Sequence, residues 1–267
     1  MTDVFALLML GFVLGMRHAT DPDHVIAVTT IVAREKTPVA ATAIGAAWGV
    51  GHTLTILIVG GGIIVFGWVI PPRLGLSMEF SVGLMLVALG VASLTVEARR
   101  ITSTASLHSA GHRHQHPHAH GDYVHSHIHS HDPEAHSHAV EQTPQGWMDQ
   151  RLGGIRAYRH LRPLIVGVVH GLAGSAAIAL IVLAAIRSPG WALAYLLVFG
   201  VGTIAGMMLM TAAIVVPFVR ANRRSVALTT GLRIASGVIS VGFGLFVAYR
   251  IGIVDGLFTG HAQWTPR

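Results

Sequence analysis

Hydrophobic side chains along this chain fall into long blocks rather than into the short stripes of a water-soluble fold. Six blocks stand out, at residues 4–32, 38–70, 80–98, 163–186, 191–219 and 231–254. Most reach the roughly 20 residues that a helix needs to cross the hydrocarbon core of a bilayer. They are too long for barrel strands and lack the alternation that a lipid-to-lumen boundary imposes. The pattern predicts an all-α integral membrane protein with six transmembrane helices.

The blocks also predict an internal repeat. Gly15-Met16-Arg17-His18-Ala19 in the first block answers Gly167-Val168-Val169-His170-Gly171 in the fourth. Gly49-Val50-Gly51-His52-Thr53 in the second answers Gly200-Val201-Gly202-Thr203-Ile204 in the fifth. Gly83 and Gly90 answer Gly237 and Gly244, and the spacing between partners stays within 151–154 residues. Three helices per unit make the second unit enter from the opposite face. The expectation is a 3+3 inverted repeat of the kind found in secondary transporters. Three regions follow: residues 1–98 as the first three-helix repeat, 99–162 as a His-rich loop and 163–267 as the second repeat.

Composition sharpens this picture. The chain is 52% hydrophobic and 11% charged, against roughly 25% charged in an average soluble domain. A net charge of +6 could suggest nucleic acid, but the basic residues sit singly or in short groups between the apolar blocks and read as topology signals. Arg34, Lys36, Arg99, Arg100 and the arginines at 151–162 and 220–224 gather on one side, against Arg73, Arg187, Arg250 and Arg267 on the other. The expected placement is multi-pass in the cell (inner or plasma) membrane, with both termini outside and the His-rich loop in the cytoplasm. No cleaved signal peptide is expected, because Asp3 stands in place of a basic leader region. The absence of Cys rules out disulfides and thiolate metal sites.

The most informative polar residues lie inside the first block. Arg17-His18-Ala19-Thr20-Asp21-Pro22-Asp23-His24 places two imidazoles and two carboxylates within apolar sequence. Ionisable groups at bilayer depth are costly and mark ion or proton routes. Imidazole with carboxylate suits borderline divalent ions such as nickel, cobalt or zinc. Asp21 precedes Pro22, which pushes it out of helical geometry and suits the start of a new helix. The first helix should therefore be broken, with His18 ending one half and Asp21 capping the other. His52, among glycines of the second block, is expected to join His18, Asp21, Asp23 and His24 as a metal ligand. His170 mirrors His18 in the repeat, and either ligation or a gating, proton-linked role suits it. Arg17 should support the site by pairing with Asp21 or Asp23 when metal is absent. Met207, Met208 and Met210 read as packing, and Glu97 and His160 as solvated interface residues.

Residues 106–139 hold twelve His, spaced mainly every second position. Too few apolar side chains accompany them to build a core, so the loop should be largely disordered without metal. His112, His114, His116, His118, His120, His125, His127, His129 and His131 are expected to bind metal as an accessory store. Imidazole must be neutral to bind, so capture weakens as pH falls toward about 6.5.

The motif at residues 17–24 resembles the R-H-A-x-D-A-D-H signature of the nickel/cobalt transporter family, with Pro22 in place of Ala. Trp48-Gly49-Val50-Gly51-His52-Thr53 is similar to that family's F-x-x-G-H-[ST] motif. The family's later acidic motifs are not matched: His170-Gly171-Leu172-Ala173-Gly174-Ser175 and Gly206-Met207-Met208-Leu209-Met210-Thr211 carry no carboxylate. With six helices in place of eight, the chain resembles the shorter UreH-like branch, described as urease-accessory membrane proteins.

The resemblance implies a secondary transporter of Ni2+, with Co2+ as a second cargo, working inward to supply a nickel enzyme. The metal is then substrate rather than cofactor, and the protein is not an enzyme. Efflux of the same ions uses the same ligand chemistry. A membrane metal sensor or metalloenzyme forms the contrasting class. The expected partners are the metal ion, the bilayer and nickel-enzyme maturation proteins, with no nucleic acid. No nucleotide-binding loop is evident, and an inward-negative potential alone favours a divalent cation by roughly 4.6 kcal/mol per 100 mV.

Overall fold

The structure, a computed structural model, describes residues 2–105, 114–120, 123–129, 156–171, 186, 188–259 and 261–264. In chain order the elements are α1 (Thr2–His18), α2 (Pro22–Val32), α3 (Pro38–Phe66), α4 (Pro72–Ala105), β1 (His114–His120), β2 (Tyr123–His129), α5 (Arg156–Gly171), α6 (Pro189–Arg224) and α7 (Val226–Tyr249). A π-helical turn, Arg250–Val254, continues α7. Residues 1–95 with 160–267 form one compact unit, and 96–159 a second.

Proline starts and polar caps set the long helices. Thr37 accepts a hydrogen bond from the Ala40 amide, Pro38 opens α3, and Gly67 closes it at a φ of 65°, a conformation only glycine adopts without cost. The 29 residues between them span about 43 Å, more than the roughly 30 Å of a hydrocarbon core. Among the described residues four helices are long and apolar enough to cross a membrane: α3, the Pro72–Thr102 part of α4, α6, and α7 with its π turn. Helices α1 and α2 together pass the same test as a broken span bent by 55°. The chain is a multi-pass helical membrane protein.

The break predicted in the first block is present. Asp21 is extended, with φ −61° and ψ 145°, and Pro22 opens α2. The expected cap is not: the Asp21 carboxylate makes no bond to the α2 backbone and goes to His18 instead. Of the expected fourth span, 163–186, α5 covers the first part and starts earlier, at Arg156; residues 172–185 lie outside the described residues. Helix α4 begins at Pro72 rather than at residue 80 and runs on to Ala105, since Pro72 suits a first turn. Glu97 is buried, not solvated, with Arg100 at 3.7 Å on the next turn.

Within the second unit, strands β1 and β2 pair antiparallel where disorder was expected, with His114 opposite His129, His116 opposite His127 and His118 opposite His125. A repeat of two is the period of a strand, so the alternate-residue spacing that looked like a low-complexity tract also fits a hairpin. Of the loop histidines named above, His112 and His131 lie outside the described residues.

Close helix crossings in the first unit are made at glycines, and they come in reciprocal pairs. A Cβ on Gly15 (α1) would collide with the Phe199 carbonyl of α6, and one on Gly167 (α5) with the Trp48 carbonyl of α3. Likewise Gly51 (α3) abuts the Leu164 carbonyl of α5, and Gly202 (α6) the Phe12 carbonyl of α1. Between α4 and α7, a Cβ on Gly90 would lie 2.7 Å from the Gly237 carbonyl, and one on Gly244 2.7 Å from the Gly83 carbonyl. Lipid supplies no hydrophobic drive between helices, so close backbone packing of this kind holds them together. Gly15→Ala and Gly167→Ala should each cost about 1–3 kcal/mol, the usual penalty for overpacking. Thermal unfolding in detergent measures it, with Gly61→Ala, whose Cβ meets open space, as the neutral control.

Candidate metal centre

The site forms where the α1–α2 break meets α3 and α5. His18 is the last residue of α1, and its Nδ1–H donates to Asp21 Oδ2 at 2.8 Å. A carboxylate on one ring nitrogen leaves the other with its lone pair free for a metal, as in carboxylate–histidine–metal arrangements. That other nitrogen, His18 Nε2, lies 2.9 Å from His52 Nε2. Two imidazole nitrogens meeting head-on can share a proton or a metal ion.

His24 sits in the first turn of α2, fully buried. Its Nδ1–H donates to Asp23 Oδ1 at 3.2 Å, and the second oxygen of Asp23 accepts from His170 Nε2–H at 3.1 Å. The ring centroid of His24 lies 4.7 Å from that of His18, 4.9 Å from His52 and 4.2 Å from His170. Four imidazoles and two carboxylates, drawn from α1, α2, α3 and α5, thus occupy one cluster. His18, His24 and His52 offer ligand atoms within 4.8 Å of one another, and so do Asp23, His24 and His170.

Burial tells a polar structural cluster from a ligand site. His18, His24, His52 and His170 are all at most 5% exposed. Burying a polar group without a partner costs free energy. Yet His24 Nε2, His52 Nδ1 and His170 Nδ1 have no hydrogen-bond partner among the described residues. Buried nitrogens left bare beside two carboxylates fit a divalent cation, for which imidazole and carboxylate are the borderline donors. The chain has no Cys to shift that preference toward softer ions.

All six expected ligands, His18, Asp21, Asp23, His24, His52 and His170, are brought together. Asp21 stands behind His18, while Asp23 reaches both His24 and His170. Arg17 does not join them: it is exposed, and both carboxylates are held by imidazoles rather than by its guanidinium. His18 at i−3 from Asp21 takes the bond expected of Arg17. Met207 packs in the apolar core with Ala19, Ala27, Val28 and Trp48, as expected of filler.

Two aromatic walls were not anticipated. The Trp48 ring lies 5.4 Å from His170, and the Phe199 ring 5.7 Å from His18. Trp48 and Phe199 are both within 1% of full burial, and the carbonyl of each meets a glycine of the facing helix, Gly167 and Gly15. That doubled contact is the signal that could have found them.

Comparison with known proteins gives one firm relationship. The urease accessory protein UreH of Bacillus sp. (strain TB-90) is 34% identical over 256 residues, covering 96% of this chain and 96% of that protein. No family model matches the chain, and no solved structure does. Alignment over nearly all of both chains at this identity establishes kinship. The chain belongs to the family of the urease accessory protein UreH, the shorter branch to which the missing acidic motifs and the count of apolar blocks pointed.

Proposed function

We propose that this protein is a membrane permease for Ni2+, with Co2+ as a second cargo, working in the uptake direction to supply a nickel enzyme. The observation that carries the proposal is the cluster of four buried imidazoles and two half-buried carboxylates at a helix break inside membrane-length helices. Unwound backbone at bilayer depth is tolerated where it lines a cavity, and donors for a borderline divalent ion at that depth mark its path. The name of the relative ties it to urease, an enzyme that uses nickel, which favours uptake over efflux.

Support for a 3+3 inverted repeat comes from the reciprocal glycine contacts, Gly15 with Phe199 against Gly167 with Trp48 and Gly51 with Leu164 against Gly202 with Phe12. In such transporters the site lies at the repeat interface near the midplane. His18 and His170, repeat partners in sequence, both belong to the cluster. The arginine bias supports termini outside and residues 99–162 in the cytoplasm. There the histidines of β1 and β2 form an accessory metal store.

Direction is tested in a urease-producing host stripped of its own nickel uptake and grown at limiting nickel. Expression should raise cell nickel and urease activity together; a fall in cell nickel would establish efflux instead. Deleting residues 106–139 should leave the initial rate of transport within about twofold while lowering the number of metal ions bound per chain. Loss of transport on that deletion would shift the function to the loop and favour a sensor.

A further inference from the structure

The cluster contains more donors than one ion needs, and they fall into two groups that share a residue. One group is His18, His24 and His52, the other Asp23, His24 and His170. His24 Nδ1 faces the Asp23 carboxylate, and Nε2 of the same ring is buried without a partner. A neutral imidazole has a single lone pair, so His24 serves one ion at a time.

Resting on the permease reading, we infer that these groups are two alternative stations for a single divalent ion, with His24 as the ligand common to both. The first station offers three neutral nitrogens from α1, α2 and α3. The second offers two nitrogens and a carboxylate from α2 and α5. Passing between them, the ion exchanges His18 and His52 for Asp23 and His170 and moves from one nitrogen of His24 to the other. Because the two stations adjoin at one ring, the donors of the next stand beside the ion as it leaves the last, in a low-dielectric interior where a bare divalent charge is most costly. Conduction needs sites that bind well enough to admit an ion and in enough places to release it, and two overlapping stations meet that need.

Proton positions follow the ion. In the first station His24 binds through Nε2 and its Nδ1–H stays on Asp23. In the second it binds through Nδ1, and the displaced proton moves to the vacated Nε2. The His170 proton moves in the same way from Nε2 to the unpartnered Nδ1. No proton is gained or lost, so the move leaves the total charge unchanged.

The two stations differ in donor set, and Co2+ reports that difference in its visible absorption. Full-length protein in lipid nanodiscs is titrated with Co2+, and spectra are taken as differences against His24→Ala so that loop histidines cancel. Wild type should bind one Co2+ more than His24→Ala. His52→Asn and His170→Asn should each keep that ion, with band positions that differ from each other, while Ni2+ flux falls about 10-fold or more in both. The double variant should lose the ion. Asp23→Asn and His170→Gln serve as alternative disruptions of the second station if His170→Asn does not fold.

Wild-type spectrum and flux in His170→Asn and Asp23→Asn would overturn the second station and leave the permease site standing. Two additional ions at saturation would overturn alternation of a single ion. If His24→Ala itself binds Co2+ and transports Ni2+ like wild type, the inference fails and the permease reading stands; no Ni2+ flux in the wild type would overturn the permease reading.

Discussion

Replacing His24 with alanine should reduce nickel affinity of the membrane-embedded cluster by more than about 100-fold. Substitutions of groups that merely orient a metal ligand typically cost 10–100-fold, and His24 is placed as a ligand rather than as an orienting group. It is fully buried, and it is the one residue common to both potential ligand groups among the described residues. Removing it leaves His18 and His52 facing each other at 2.9 Å and Asp23 joined only to His170, so neither group retains three donors. Equilibrium dialysis with nickel on the chain lacking residues 106–139 reads the affinity without the loop histidines. His24→Gln, which keeps the volume but not the imidazole, should lose affinity to a similar degree. Undiminished affinity in both variants would remove His24 from the site.

The second large effect is expected at Trp48, on stability. Its indole is fully buried in the core under the helix break, against Ala19, Val28 and Met207. Its backbone carbonyl lies where Gly167 of α5 crosses α3, and its ring stands beside His170. Trp48→Ala opens a large cavity where two helices and a ligand are held together. Large aromatic truncations cost about 3–5 kcal/mol in tightly packed cores, and packing is the principal force between helices in lipid. The unfolding midpoint in mixed detergent micelles should drop accordingly, and nickel flux should fall with it because His170 loses its wall. Trp48→Phe, which keeps a ring in place, should recover most of both. A midpoint unchanged in Trp48→Ala would show that the crossing does not depend on the indole.

Much of this site was readable from local sequence because its main features are local. His18, Asp21, Asp23 and His24 fall within seven residues, and Pro22 among them dictates the break that turns their side chains inward. What sequence could not reach is the pairing of those residues. Asp23 bonds His170 across 147 positions, a contact that depends on how α5 crosses α3 and that no spacing rule supplies. Arg17 was misplaced for a related reason. An i,i+4 pair is a rule for continuous helices, and the chain leaves helical geometry between Arg17 and Asp21, handing the carboxylate to His18.

The fold shows the same division. Glycine positions flagged in sequence turn out to lie at close crossings, with Gly15, Gly51, Gly167 and Gly202 each against a carbonyl of a facing helix. Element ends were less legible: α4 starts at Pro72 and α6 at Pro189, outside the hydrophobic blocks drawn at 80 and 191. Proline is polar-looking in a hydropathy pattern yet favourable in a first helical turn. Glu97 was misread because a single charge near a helix end looks solvated in sequence, whereas its side chain is 2% exposed in the fold.

The central claim is that the intramembrane cluster carries nickel across the bilayer. Its most direct test is flux of Ni2+, Co2+, Zn2+ and Mn2+ into liposomes holding a metal-sensitive dye, with wild type beside a His18→Ala/His24→Ala variant. Saturable Ni2+ flux in the wild type, lost in the variant, is the predicted result. Equal flux in both, or none in the wild type while it still binds nickel tightly, would contradict it.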